Sequence, residues 1–323
     1  MKLVASVLFL LLPFYGIVQI TEKEDVLKTH RADSLDGWKK GGYTALNISQ
    51  VGLTNWAAGG QSSIALNGIV SLYGNLKRGY STWDNSIDLG YGILRQGSGV
   101  ALKNGVFMKT DDKIDLVSKY GRKASEKWYY AGLINFNTQS TPGYTYPNDS
   151  LVISRFMAPA YLLGAAGMDF KPAEYFTAFI SPITLNTTFV NDDSLADAGA
   201  YGVEKAVFDN TGIKILSGSK YRFEYGGYIR LSYKKTIMEN ITITSKLSLF
   251  SNYANKPQNL DVNWENLIEL KVNKYIACSI STHLIYDDDI SITDADGNTG
   301  PRTQFKEVVG VGFSYKFAKP PVK

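Results

Sequence analysis

The run QFKEVVGVGFSYKF, residues 304–317, decides the fold. Phe305, Val309, Val311, Phe313, Tyr315 and Phe317 share one parity, while Gln304, Lys306, Gly310, Gly312, Ser314 and Lys316 share the other. That is the period of a strand with one apolar and one polar face. The run stops on an aromatic residue near the end of the chain.

Working outward, similar runs bounded by turn residues recur near 42–52, 61–77, 82–95, 106–120, 126–138, 158–171, 174–187, 219–235, 239–252, 260–273 and 275–288, about twelve strands with 303–317. Tyr221, Phe223, Tyr225, Ile229, Leu231 and Tyr233 oppose Arg222, Glu224, Arg230, Ser232 and Lys234. Ile241, Ile243, Leu247 and Leu249 oppose Thr242, Thr244, Lys246 and Ser248, and Leu260, Val262, Trp264, Ile268 and Leu270 oppose Asp261, Asn263, Glu265, Glu269 and Lys271. The composition suits a sheet-rich chain with many turns: 21 Tyr, 15 Phe and 30 Gly in 323 residues, 20% of them charged.

A soluble sandwich would alternate too, so the connections discriminate. Short links are expected at 78–80, 121–122, 172–173, 236–239 and 273–274, and long ones at 139–157, 191–218 and 289–302. Short turns on one rim and long loops on the other are the pattern of a transmembrane antiparallel up-and-down β-barrel, with periplasmic turns and extracellular loops. Aromatic residues crowd the short-turn ends, among them Tyr80, Trp83, Tyr120, Trp128, Tyr130, Tyr175, Tyr233 and Phe317. So do Lys77, Arg78, Lys119, Arg122, Lys171, Lys234 and Lys274, which are expected to reach inner-leaflet phosphates. Asp287, Asp288, Asp289, Asp294 and Asp296 fall on the opposite rim.

At the N-terminus, Lys2 precedes an apolar stretch at 3–12 that is shorter than the ~20 residues of a spanning helix, so 1–18 reads as a signal peptide. The expected organisation is then a periplasmic segment at 19–41, a barrel at 42–317 and a tail at 318–323. Cys278, the single cysteine, reads as a small apolar residue and excludes an intrachain disulfide. A net charge of +4 gives no reason to expect a nucleic-acid partner. Expected partners are membrane lipids and lipopolysaccharide, with other outer-membrane proteins or surface lipoproteins as candidates. No cofactor is expected.

The ending Gly312-Phe313-Ser314-Tyr315-Lys316-Phe317 resembles the closing strand of bacterial outer-membrane barrels. The segment Asn55-Trp56-Ala57-Ala58-Gly59-Gly60, with Trp38-Lys39-Lys40-Gly41-Gly42, Trp83-Asp84-Asn85, Lys109-Thr110-Asp111-Asp112-Lys113, Ser118-Lys119-Tyr120-Gly121 and Lys127-Trp128-Tyr129-Tyr130, resembles a domain-of-unknown-function family of Bacteroidetes outer-membrane proteins. The resemblance spans most of 38–317 and implies a surface barrel, with no catalytic residue or substrate. Asn55, Trp56, Gly59 and Gly60 read either as a structural loop or as the lip of an outer-loop binding site.

Catalytic chemistry has little to stand on. Of two histidines, His30 precedes the barrel, and His283 shares a strand face with Ser279 and Ser281. Residues two or four apart on one face stand roughly 7 or 14 Å apart at Cα, so a Ser-His pair is not expected and the chain is read as a non-enzyme. Asp294-Ala-Asp296-Gly-Asn298 begins like a calcium loop, but Phe305 stands where the bidentate glutamate belongs, and no metal site is assigned. Asp-Ser-Leu at Asp33, Asp149 and Asp193 is similar to an O-glycosylation acceptor pattern of Bacteroidetes. The stronger clue is charge on the inward strand faces. Asp84, Asp88, Lys113, Asp115, Arg222, Glu224, Arg230, Lys246, Asp261, Glu265, Glu269 and Lys306 are expected in the lumen with both signs present. A barrel of this size is nearly filled by such side chains, which predicts a narrow or gated channel for small solutes, or the barrel of a surface assembly, constricted by 139–157 and 191–218 folding inward. The alternative is a partner-binding barrel without conductance.

Overall fold

The computed structural model describes residues 36–53, 61–97, 107–146, 148–173, 175–271, 276–293, 298–313 and 315–318. Its main strands are β1 (Gly37–Val51), β2 (Ser62–Arg78), β3 (Ser81–Gly97), β4 (Met108–Lys123), β5 (Trp128–Thr138), β6 (Ala160–Ala173), β7 (Phe176–Phe189), β8 (Tyr221–Met238), β9 (Ile241–Asn252), β10 (Asp261–Lys271), β11 (Ile276–Tyr286), β12 (Gln304–Phe313) and β13 (Tyr315–Ala318). Each pairs antiparallel with its neighbours in one 13-stranded sheet, in the order β12-β11-β10-β9-β8-β7-β6-β5-β4-β3-β2-β1-β13. Its two ends, β12 and β13, flank Ser314 in the chain. The last run therefore pairs with β11 through its first segment and with β1 through its second, at Gly41↔Ala318, Gly42↔Phe317, Tyr43↔Lys316 and Thr44↔Tyr315.

Strand faces are inverted relative to a soluble protein. On β3, Asp84 is 1% exposed and Thr82, Ser86 and Asp88 are also buried, whereas Trp83 is 43% exposed and Leu89 and Tyr91 face outward with it. Polar residues point in and apolar residues out, which suits a wall with lipid outside and side chains inside. Trp83 and Tyr91 lie eight residues apart, about 26 Å along a strand or about 20 Å of height at the ~40° tilt of such barrels, within their ~25 Å apolar band. The chain is an outer-membrane β-barrel with alternating rims: links at 79–80, 124–127, 174–175 and 239–240 are short, and those at 139–159, 190–220 and 287–303 are long.

Several boundaries differ from the sequence reading. The sheet starts at 37 and not 42, because 37–41 ladder with 73–77, and it runs on to Ala318. The expected turns at 121–122 and 172–173 are strand: Gly121 and Arg122 ladder with Ala131 and Tyr130, and Ala173 pairs with Phe176 after a register shift past Pro172. The outer residues Asn55, Trp56, Gly59 and Gly60, the N-terminal segment 1–35 and the Asp294-Ala-Asp296 turn lie outside the described residues.

β7 carries Pro182, which has no N–H to give the ladder, and its pairing with β6 shifts register there between Ala166 and Met168. Ser181 Oγ donates to the Ala166 carbonyl at 2.9 Å, and Thr184 donates to Ser181 Oγ at 2.9 Å. Opposite, a Cβ on Gly167 would overlap the Ile180 carbonyl oxygen, so glycine is required at this close approach.

The long outer loops make a cap with a small core of its own. In 190–220 lie a helix, α1 (Asp193–Asp197), a 3-10 turn (Ala200–Gly202) and a hairpin pairing Val207–Phe208 with Lys214–Leu216. Asp192 caps α1 by accepting from Leu195 N at 3.0 Å, and the Ser194 hydroxyl beside it holds its carboxyl below the usual range. Ala158, from the preceding long loop, packs with Val190, Leu195, Ala196 and Val203, all buried. Arg155 pairs with Asp192 at 3.0 Å and the Tyr201 hydroxyl donates to the Ile153 carbonyl at 2.6 Å, so the two loops hold one another.

Val190→Asp should open this cap and spare the barrel, because a buried unpaired carboxylate costs several kcal/mol where the cap has only one small core to lose. Limited proteolysis should then cut within 139–159 and 190–220 while heat-modifiable migration on gels is kept. Loss of that migration, or unchanged loop resistance, would refute the separate cap.

Candidate functional site

Adjacent strands with inward side chains of equal register put those side chains side by side along the wall. Such a row runs Asp88, Asp115, Asn137, Tyr161, Thr188, Arg222 from β3 to β8, each paired with the next. Two residues nearer the periplasm a second row runs Ser86, Val117, Asn135, Leu163, Asn186, Glu224. All but Glu224 line a cavity of about 310 Å³ in the outer half of the lumen. Its facing wall is β8 to β11, with Tyr228, Arg230, Lys246, Ser248, Phe250, Asp261, Asn263, Glu265 and Asp287.

Charge in the cavity is compensated locally. Lys113 Nζ lies 3.0 Å from Asp115, whose other oxygen accepts from Asn135 at 2.6 Å. Lys246 and Glu265 are register partners, Glu265 stands 3.8 Å from His283 Nε2, and it acts electrostatically on Lys113 from the opposite wall. Arg222 is clamped by Glu224 at 3.0 Å and Asp289 at 3.2 Å. Removing one member of such a pair strands a buried charge, at a cost of about 3–5 kcal/mol.

The outer mouth is acidic. Glu224, Asp261, Asp287, Asp288 and Asp289 face Arg222 and Lys256, and Lys256 Nζ reaches Asp288 at 3.3 Å. Burial pushes the Asp287 carboxyl above the usual range, and the neighbouring Asp289 charge adds to this against the pull of Arg222. Above it sits the cap: Gly202 is close enough to Arg222 that an added Cβ would overlap the guanidinium.

The third row inward is of another kind: Asp84, Lys119, Leu133, Ala165, Thr184, Gly226. None of these lines the cavity. Leu133 and Ala165 join Ala131, Phe179, Tyr228 and Phe250 in a buried apolar cluster with Val117 and Leu163 against it. Beyond it, Asp169 holds Lys119 and Lys171, each at 3.2 Å, with buried Asp84 as the register partner of Lys119. Along β4 the inward residues thus read, from outside in, Lys113 and Asp115 at the cavity, Val117 at the apolar layer and Lys119 at the ionic one.

Asp88, Lys113, Asp115, Arg222, Arg230, Lys246, Asp261 and Glu265 line the cavity, Glu224 pairs with Arg222 beside it, and Asp84 is buried. Glu269 lies opposite Ser279 and Lys306 opposite His283 in register, and their side chains lie outside the described residues. Lys119 and Lys171, expected to reach lipid phosphates, turn inward to Asp169, because their parity is that of Asp115 and Asp169. Asp169, Thr188 and the inward aromatics Phe179, Tyr228 and Phe250 were missed; for Tyr228 and Phe250, a position two residues from Arg230 and Ser248 was the available signal. His283 Nε2 lies 2.9 Å from Asn263 Oδ1, and the side chains of Ser279 and Ser281 lie outside the described residues. Among the described residues, no group of three or more His, Cys, Asp or Glu is placed to hold a metal ion.

The model of a family described as "Protein of unknown function (DUF3078)" matches residues 48–144. No curated protein matches the sequence. Among solved structures, the chain is similar to the COG4313 outer membrane channel from Pseudomonas putida F1, with 13% identity, coverage of 90% of this chain and 100% of that one, and a TM-score of 0.41. It is similar also to the translocator domain of the autotransporter NalP from Neisseria meningitidis, with 11% identity, 92% of each chain and a TM-score of 0.39. A third is outer membrane phospholipase A from Escherichia coli, with 11% identity, 92% of this chain and 98% of that one, and a TM-score of 0.38.

Proposed function

We propose that this barrel is a narrow, gated channel for small polar solutes, that it works without catalysis, and that it belongs to a Bacteroidetes surface. The observation that carries the channel reading is the layering of the lumen: a polar cavity open to an acidic mouth ends at an apolar layer backed by the Lys119–Asp169–Lys171 group. Water and ions pass an apolar constriction poorly, and a paired ionic layer behind it is held shut by mutual attraction. The ionic group turns on one carboxylate, that of Asp169, and can be displaced.

In planar bilayers the wild-type barrel is expected to give small or infrequent current steps, and Asp169→Asn, which takes the shared carboxylate from Lys119 and Lys171, to give clearly larger mean current. Absence of steps from both proteins, with loops intact or trimmed, would overturn the channel reading. The mouth predicts selectivity. Five carboxylates against two cations favour cations at pH 7.5. Because the Asp287 carboxyl titrates above the ordinary carboxylate range, its charge is lost as pH falls through that raised value, before an exposed aspartate would lose its own. Reversal potentials in a salt gradient should drift toward non-selectivity on acidification, and Asp287→Asn should produce part of that drift at pH 7.5. A pH-independent reversal potential would contradict this.

A second reading, a partner-binding barrel, is favoured by one observation. Val207, Phe208, Ile213, Ile215 and Leu216 of the outer hairpin are all exposed, on a two-stranded ribbon with free edges. Gentle detergent extraction yielding only a lone barrel would count against it.

A further inference from the structure

We infer that Asn137, Tyr161, Thr188 and Arg222 form a binding site for a small neutral saccharide in the outer lumen, an inference that rests on the channel reading above. These four are consecutive members of one cross-strand row and all line the cavity. Thr188 is fully buried and its Oγ1 has no hydrogen-bond partner. A buried hydroxyl left unmatched costs about 1–3 kcal/mol, and such groups are rare unless something else meets them. Beside it, Arg222 offers a second unmatched group: its terminal nitrogens are held by Glu224 and Asp289, while Nε is buried without a partner.

The electrostatics select the ligand class. Arg222 is already compensated by two carboxylates, so an incoming carboxylate or phosphate meets repulsion from Glu224 and Asp289, while an ammonium has donors only and cannot accept from the Arg222 Nε–H. A neutral solute avoids both. It must accept from Arg222 Nε–H, match a hydroxyl that both donates and accepts, and use an amide that does the same; ring hydroxyls do all three. Tyr161, Tyr228 and Phe250 line the same cavity and supply apolar surface for the C–H faces of a sugar ring. At about 310 Å³ the cavity lies at the low end for small-molecule sites, which limits the ligand to one or two rings.

The test is calorimetry on the full chain in a detergent without a sugar headgroup, with glucose, maltose and N-acetylglucosamine as probes and acetate and ethylammonium as charged controls. At least one saccharide should bind, with a Kd on the order of millimolar, and neither control should. Thr188→Val should weaken that binding by about tenfold, and Tyr161→Phe should weaken it measurably, since each removes one hydroxyl and little volume. If Thr188→Val does not give a heat-modifiable barrel, Tyr161→Phe alone decides. The site is overturned if no saccharide binds the wild type, if acetate or ethylammonium binds as tightly, or if every folded variant keeps wild-type affinity. Bilayer current separates the two readings. Current without saccharide binding removes the site and leaves the channel, whereas saccharide binding without current keeps the site and removes the channel.

Discussion

A sheet immersed in hydrocarbon has no water to satisfy its backbone, so every N–H and C=O must find its partner within the sheet. In this chain that requirement falls on the last run, which must serve β11 and β1 together. Residues 304–313 ladder with β11 and residues 315–318 with β1. Once the strands are so arranged, parity assigns every side chain to lipid or lumen, and register decides which lumen side chains are neighbours. The cavity rows, the apolar layer and the ionic layer all follow from those two assignments.

Parity was legible in the sequence because period 2 is a local property. Trp83 and Asp84, or Phe223 and Glu224, cannot share a face, so the lumen charges could be named before any strand was paired. The rims were legible for a similar reason, since turn length is also local. Register was not. That Asn137 lies beside Tyr161 depends on a pairing across a loop of 21 residues, and that Thr188 lies beside Arg222 on one across 31, and these lengths say nothing of alignment. The inner lysines show where rim position misleads: Lys119 and Lys171 sit at the inner rim, yet their parity is inward and they turn to Asp169.

Phe179 illustrates a different limit. Counting by twos inward from Thr188 through Asn186 and Thr184 puts Phe179 on the lipid face, but it is 4% exposed and packs edge-on with Tyr228, ring centroids 6.3 Å apart. The irregularity at Pro182 inserts one residue and reverses the parity of everything before it. Pro182 was visible in the sequence; the sign of its effect was not, because a proline in a strand marks an edge, a strand start or a bulge with equal ease.

That one inserted residue connects the wall to the lumen's interior. With Phe179 inward, β7 gives the apolar layer an aromatic ring against Tyr228, where an uninterrupted strand would have offered Ile180. Phe179 has Asp169 as its register partner on β6, and Ala131 and Ala165 are the small members of the cluster that its ring joins. The same small side chain at Ala131 leaves Lys119 an unobstructed path across β5 to Asp169 on β6. A larger residue at 131 would both crowd the apolar layer and part the ionic one. The apolar cluster and the ionic group therefore share one geometric condition, small residues on β5 and β6 beside a bulged strand.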